Sequence, residues 1–227
     1  MENHNFLEFC SMPLLPIKEA GPHAKIGLWL LTESTEELIK RKTIPAEDLL
    51  VLRSFSHDQR KKEWLAARIL AEELTDGKNV RIVYDEHNKP ALKGSQKHIS
   101  ISHSHSLLTM ILDSKETGID IELVKPNVER IKEKFLSEGE LKSLGEEKLT
   151  EKLTLYWCAK EALYKYYGKK LLTFKEHLIV EPFDYTGTGQ LLARIIHPSM
   201  NKLFKLHYEK ISVKDEDYIL AYILNEV

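Results

Sequence analysis

The sequence predicts an α+β protein made of two similar halves. Its 227 residues suffice for one large domain or two small ones. Hydrophobic residues make up 42% and charged residues 30%, which is enough apolar material for ordinary globular cores. The hydrophobic pattern also gives one order of elements twice: a strand, then helices, then several strands. We therefore expect an N-terminal half at residues 1–114 and a C-terminal half at residues 115–227.

In the N-terminal half, short apolar runs and one long periodic segment mark the elements. Ser34 or Thr35 is a suitable helix cap because acidic residues follow it. Trp64 and Ile69 belong to a helical stripe that ends before Gly77. The predicted strands lie at 26–31, 80–84, around 99–101 and at 107–112, and further helices lie at 46–53 and 57–75.

In the C-terminal half, the first strand contains Asp120 and Glu122 alternating with isoleucines. Ser137 and Glu140 form a capping-box pattern, and Gly168 closes the longest predicted helix. The predicted helices lie at 127–136, 137–145 and 149–168, and the later strands lie at 178–182, 190–196, 203–211 and 217–224.

Charge and cysteine content limit the setting and the partners. The net charge of −2 gives no reason to expect nucleic acid or an anionic membrane as a partner. Only Cys10 and Cys158 are present, so we expect no disulfide framework and a reducing, cytoplasmic setting. The N-terminus lacks a secretory pattern, and no apolar run is long enough to span a membrane.

Two segments carry the chemistry. Asp120 and Glu122 are two residues apart on a strand, so their carboxylates share one face. Glu161 and Lys165 are four residues apart on a helix and also share a face. Carboxylate oxygens are suitable ligands for magnesium, and a lysine neutralises phosphate charge. The pattern predicts a site for a hard cation and a phosphate-bearing substrate, although each piece alone is commonly a solvated surface feature.

The segment from Ser102 to Ser106 holds two histidines, His103 and His105. A zinc site would need a third ligand, and none stands at a suitable spacing. A histidine that donates to phosphate and a structural histidine remain as interpretations. The chain has no phosphate-binding P-loop and no dinucleotide fingerprint.

Taken together, these residues resemble a known family. The chain is similar to a 4′-phosphopantetheinyl transferase of the larger, surfactin-synthetase-activating type. The matching motifs, in the family's order, are Asn88-Lys89-Pro90, Ile101-Ser102-His103-Ser104, Gly118-Ile119-Asp120-Ile121-Glu122, Phe135-Leu136-Ser137-Glu138-Gly139-Glu140 and Trp157-Cys158-Ala159-Lys160-Glu161-Ala162-Leu163-Tyr164-Lys165.

The resemblance implies a reaction and an architecture. The enzyme would transfer the 4′-phosphopantetheine arm of coenzyme A to a serine of an apo acyl- or peptidyl-carrier protein, a holo-acyl-carrier-protein synthase activity that releases adenosine 3′,5′-bisphosphate. Members of this length resemble a monomeric pseudo-dimer with coenzyme A between the halves. The carrier would belong to fatty-acid, polyketide or peptide synthesis.

The resemblance also implies roles for individual residues. Asp120, Glu122 and Glu161 would hold Mg²⁺. Either Glu161 or Glu140 would serve as the base for the carrier serine, and Lys165 would stabilise the leaving phosphate. The residues expected to contact coenzyme A are Lys165, Ser102, His103, Lys89 and Arg53. Trp157 and Lys160 would support the helix.

Two departures from the family pattern affect the nucleotide end of the site. Asn88 replaces a frequent glycine, and asparagine tolerates the left-handed conformation. Asp48 and Val51 stand where family members carry basic residues for the 3′-phosphate, and we expect Arg53, or Arg60 or Lys62, to substitute for them.

Two other functions compete with transfer. A magnesium-dependent pyrophosphate hydrolase acting on a coenzyme A-like nucleotide would use the same carboxylates. A non-catalytic binding module that docks carrier proteins would be expected to lose an acid or the lysine, and this chain has lost neither.

Overall fold

Two antiparallel sheets, each with its own helices, make up the chain. The computed structural model describes residues 13–77 and 80–224. The chain divides into one unit over residues 13–115 and a second over residues 116–224, close to the predicted division between residues 114 and 115. The expectation that the two halves are copies of one another, a pseudo-dimer, stays a prediction, as do the roles assigned to them. Cys10 lies outside the described residues.

The first unit contains a six-stranded sheet and three helices. The strands are β1 Lys18–Gly21, β2 Ala24–Leu30, β3 Ile82–Tyr84, β4 Pro90–Leu92, β5 His98–Ser104 and β6 Leu107–Asp113, in the order β1-β2-β6-β5-β4-β3. The helices are α1 Thr35–Arg41, α2 Ala46–Ser54 and α3 Asp58–Leu74. Helix α3 packs on β2 and β6, and its apolar stripe forms the core.

The second unit contains a five-stranded sheet and four helices. The strands are β7 Ile119–Leu123, β8 Leu178–Val180, β9 Thr188–His197, β10 Met200–Val213 and β11 Glu216–Ile223, in the order β7-β11-β10-β9-β8. The helices are α4 Asn127–Phe135, α5 Glu138–Ser143, α6 Leu149–Tyr167 and α7 Phe174–His177. Helix α6 packs along β7, β11 and β8 over a continuous apolar core.

The predicted start and stop signals for the helices are confirmed. The Ser34 hydroxyl accepts a hydrogen bond from Glu37 N and the Glu37 carboxylate accepts one from Ser34 N, which closes a capping box at α1. Ser137 and Glu140 close the same box at α5. Gly168 ends α6 in the left-handed conformation, with a φ of 72°. Local sequence therefore sets these helix ends.

The hydrophobic pattern of the sequence did not predict β1, β4 or α7, and the strand that it predicted at 203–211 is shorter than β10. Strand β1 has no apolar alternation, and its strand conformation comes from pairing with β2. Strand β10 extends at both ends because tight hairpins continue the ladders, with Met200 opposite His197 and Val213 opposite Glu216. Cross-strand hydrogen bonds decided the extents of these strands, and a periodicity along a single strand does not contain that information.

In the described ranges, no helix has the length and apolarity needed to cross a membrane.

Candidate active site

Strand β7 carries two carboxylates toward α6. Asp120 lies opposite Ala221 and Glu122 lies opposite Ile219 on β11, and both of these partners belong to the core beneath α6. Alternate residues of a strand share a face, so both carboxylates face the same way. Asp120 is 2% exposed and Glu122 is half-buried. We call Asp120 and Glu122 the β7 carboxylates.

Helix α6 brings a lysine to this strand. The Lys165 ammonium lies 2.6 Å from Asp120 Oδ1 and donates a second hydrogen bond to Ile119 O at 3.2 Å. The Asp120 side chain is 3% exposed and that of Lys165 is 25% exposed, so the pair lies where a buried strand meets solvent. The structure therefore joins two residues that the sequence placed far apart in the chain.

A close approach between β7 and α6 makes this contact possible. A Cβ atom on Gly118 would lie 2.0 Å from Ala162 O and 3.0 Å from Tyr166 N, and both of these atoms belong to the helix backbone. Only glycine fits here, because no side-chain movement could relieve the overlap. Gly118 thus sets how near the β7 carboxylates come to the helix.

Glu161 lies half-buried one turn before Lys165 on α6. Burial raises the pKa of its carboxyl group to about 7, and repulsion from Asp120 and Glu122 adds to the rise, while Lys165 opposes it. Asp120, Glu122, Glu161 and Lys165 therefore interact electrostatically as one group. A carboxyl group with this pKa suits proton transfer near neutral pH.

The remaining predicted residue of this unit, Glu140, is 3% exposed at the start of α5. Its carboxylate accepts hydrogen bonds from Ser137 N, Lys160 Nζ and Val180 N. Glu140 thus lies in a hydrogen-bond network of its own.

Cys158 on α6 is also buried, and burial raises the pKa of its thiol, as do the nearby β7 carboxylates.

In the first unit, the structure places His103 beside α3. His103 Nε2 lies 3.3 Å from Arg60 Nη1 and 3.4 Å from Glu63 Oε2. Ser102 precedes it on β5 and is 6% exposed. Arg60, one of the three proposed substitutes, therefore contacts His103.

The other predicted residues of the first unit lie on α2 and in a turn. Arg53 is exposed in the last turn of α2. Lys89 lies in a turn in which Asp85 Oδ1 accepts from the backbone of His87 and Lys89, and Asn88 has a φ of 66°. The prediction that Asn88 accommodates the left-handed conformation is confirmed. Asp48 is buried and pairs with Arg68 and Arg81.

Comparison with known proteins identifies the group to which this chain is related. The family model described as "4'-phosphopantetheinyl transferase superfamily" matches residues 116–223, the span that contains the β7 carboxylates and α6. Over residues 116–223, just under half of its length, the chain is similar to the 4′-phosphopantetheinyl transferase superfamily. The resemblance predicted from the motifs is therefore confirmed.

Two proteins of Bacillus subtilis are similar to this chain. One, named "4'-phosphopantetheinyl transferase", is 34% identical over 90 residues, which are 38% of this chain and 40% of the relative. The other, named "4'-phosphopantetheinyl transferase ffp", is 28% identical over 152 residues, which are 63% of this chain and 67% of the relative. The first match thus spans less than half the length of the relative.

The donor chemistry of these carboxylates suits magnesium. In the part of the chain that the structure describes, no three His, Cys, Asp or Glu side chains are already gathered so that they could hold a metal ion alone. Magnesium does not require such a cage, because it usually takes one or two carboxylates and completes its shell with water and substrate phosphates. The β7 carboxylates and Glu161 are hard oxygen donors whose mutual repulsion a cation would relieve.

Sequence reasoning missed two features of this site. The backbone approach at Gly118 was visible only as a glycine before the strand. The resemblance implied that Lys160 supports the helix, but not that its side chain is fully buried, since lysine is almost never fully buried unless it is paired.

The raised pKa of Glu161 predicts how the folded state responds to pH. Its folded-state value of about 7 lies above the unfolded value of 4.5, so ionisation of Glu161 opposes folding. This cost begins as pH rises through 4.5 and is complete above pH 7, where it reaches at most about 3 kcal/mol. We expect Glu161→Gln to raise the melting temperature at pH 8 in EDTA and to change it little at pH 4.

Melting curves of wild type and Glu161→Gln across this pH range measure the effect. Glu146→Gln, at an exposed carboxylate, is the matched control and should show no such trend. A melting difference for Glu161→Gln that stays constant from pH 4 to pH 8 would contradict the prediction.

Proposed function

We propose that this chain transfers the 4′-phosphopantetheine arm of coenzyme A to a serine of an apo carrier protein and releases adenosine 3′,5′-bisphosphate. The observation that carries the proposal is the meeting of Lys165 with Asp120 beside Glu161, inside the span matched by the superfamily model. The names of the two relatives agree with this activity.

In the proposed reaction, the carrier serine oxygen bonds to the phosphorus that bears the pantetheine arm. The bond from that phosphorus to the bridging oxygen breaks, and its electron pair leaves with the bisphosphate. Glu161, or a water that it holds, accepts the serine proton.

Lys165 stabilises the negative charge that develops on the leaving phosphate. Its hydrogen bonds to Asp120 Oδ1 and Ile119 O fix the ammonium at the edge of β7, so little reorganisation is needed during the reaction. The positive charge of Lys165 is therefore already in place in the folded chain before the substrate binds.

Magnesium, when bound, would neutralise charge on the pyrophosphate of coenzyme A. We propose Asp120, Glu122 and Glu161 as its protein ligands. The support is the donor chemistry of these three carboxylates and the repulsion among them.

For the nucleotide end of coenzyme A we propose contacts from Ser102, His103, Lys89 and Arg53, with Arg60 as an addition. The contact of Arg60 Nη1 with His103 Nε2 supports this addition, because two nitrogen-bearing side chains then lie together. A guanidinium suits phosphate recognition through its forked donors.

Mass spectrometry of carrier proteins tests the proposal. The purified chain is incubated with coenzyme A, Mg²⁺ and a panel of apo carrier proteins from fatty-acid, polyketide and peptide synthesis. We expect at least one carrier to gain the mass of the phosphopantetheine arm. A carrier whose acceptor serine is replaced by alanine is the control and should gain nothing.

Omission of the carrier separates transfer from hydrolysis. Transfer requires both substrates, so coenzyme A should stay intact without a carrier. Cleavage of coenzyme A in that reaction, with every carrier left unmodified, would favour the hydrolase over the transferase.

A further inference from the structure

Lys160 is a fully buried ammonium on α6. Its exposure is 0%, and Nζ donates to Phe135 O at 2.8 Å, Glu140 Oε2 at 2.7 Å and Phe174 O at 3.0 Å. An ammonium has three N–H donors, so each of them has an acceptor. These acceptors lie at the end of α4, in α5 and at the start of α7.

Glu140 completes the network from the other side. Oε2 accepts from Ser137 N at 2.7 Å as well as from Lys160, and Oε1 accepts from Val180 N at 2.8 Å. Ser137 caps α5, and Val180 ends β8. One buried ion pair therefore ties α6 to α4, α5, α7 and β8.

A buried ion pair of this kind contributes more to specificity of position than to stability. Desolvation of two charges offsets much of their attraction, and apolar residues of similar volume would often stabilise as well. An ammonium with three directed hydrogen bonds, however, is satisfied in only one placement of its helix. Sliding or rotating α6 would leave a buried charge unpaired.

The location of this network links it to the active site. Lys160 directly precedes Glu161, and successive helix residues differ by about 100° in direction. Lys160 thus holds one side of α6 in place, while Glu161 and Lys165 lie on a different side, in the active site. Trp157 supports the same attachment, because its ring packs against Phe135 and Phe174, whose carbonyl oxygens accept from Lys160.

We propose that Lys160 and Glu140 are positioning residues that fix the rotation and the axial place of α6, so that Glu161 and Lys165 meet the β7 carboxylates. Glu140 acts here as a hydrogen-bond acceptor and not as the base for the carrier serine. A base must reach the proton that it removes, and this carboxylate is 3% exposed with both oxygens engaged. The inference rests on the proposed transferase function for its kinetic part only.

The test uses the full chain and three variants: Lys160→Met, Glu140→Gln and the double variant. Lys152→Met, at a half-buried lysine on the same helix, is the matched control. Two readouts are taken. The first is hydrogen exchange of α6 peptides, followed by mass spectrometry, and the second is the kcat and the KM for coenzyme A in transfer to a carrier protein.

We expect both single variants to exchange faster across α6 than wild type or Lys152→Met. Transfer should lose about 10- to 100-fold in kcat, with the KM for coenzyme A changed less than about threefold, because small misplacement at a reacting centre is costly. The double variant should recover part of the rate, as no buried charge is left unpaired.

Two results would overturn the inference. One is loss of transfer in Glu140→Gln while Lys160→Met transfers like wild type, which would make Glu140 the base. The other is wild-type exchange and wild-type rate in the double variant, which remains informative even if a single variant fails to fold. If no carrier is modified by wild type, the transferase proposal fails, and hydrogen exchange still decides whether the pair holds α6.

Discussion

Asp120→Asn is expected to lower kcat for arm transfer by about 100-fold or more, the loss typical when one preorganised electrostatic partner is removed from an active site. The change removes the negative charge that lies 2.6 Å from the Lys165 ammonium and one of the three proposed magnesium ligands. It keeps the shape of a side chain that is 2% exposed, so the fold should survive. Carrier modification followed by mass spectrometry, together with a melting curve, measures both effects.

Glu146→Gln provides the comparison for this experiment. Glu146 is an exposed carboxylate of the same unit, and its neutralisation should leave transfer at the wild-type rate. A folded Asp120→Asn protein that transfers as fast as Glu146→Gln would remove Asp120 from the proposed site.

Gly118→Ala is expected to destabilise the fold by about 2–3 kcal/mol, at the upper end of the cost of overpacking a core. The added methyl group would lie 2.0 Å from Ala162 O, a backbone atom that cannot rotate away. Strand β7 and helix α6 must then separate, which also moves the β7 carboxylates away from Glu161. Urea unfolding measures the first effect, and transfer by the protein that remains folded measures the second.

Gly139→Ala is the matched control for the glycine experiment. A Cβ atom on Gly139 would meet only Ser137 Oγ at 4.0 Å, and alanine is the better helix former inside α5. This variant should be as stable as wild type or slightly more stable. Equal unfolding curves for Gly118→Ala and Gly139→Ala would show that β7 and α6 do not need their close approach.

The predictions for Asp120→Asn and Gly118→Ala depend on features that the sequence predicted only in part. The pattern gave a strand with Asp120 and Glu122 on one face and a helix with Glu161 and Lys165 on one face, and the structure contains both elements. Periodicity could not give the 2.6 Å contact between Lys165 and Asp120, because the two residues are 45 positions apart. It likewise gave Gly118 as a flanking residue without showing that the helix backbone lies against it.

The nucleotide end of the proposed site shows the same division. Residue types alone predicted the motif at Ser102 and His103 and the left-handed conformation of Asn88. The contact between Arg60 and His103 depends on how α3 packs on the sheet that contains β5. The sequence of either segment alone does not specify this packing.

Sequence alone indicated the resemblance to the superfamily, the limits of the main helices and the identity of the charged groups in the site. These depend on residue types at short spacing, where capping, turn chemistry and amphipathic periodicity act. Only the tertiary structure decided that Glu140 is buried in a network with Lys160, that Lys165 pairs with Asp120, and that the pKa of Glu161 rises to about 7. The physical reason is that desolvation and Coulomb interactions depend on distance in space, and that distance is fixed when α6 packs on the sheet.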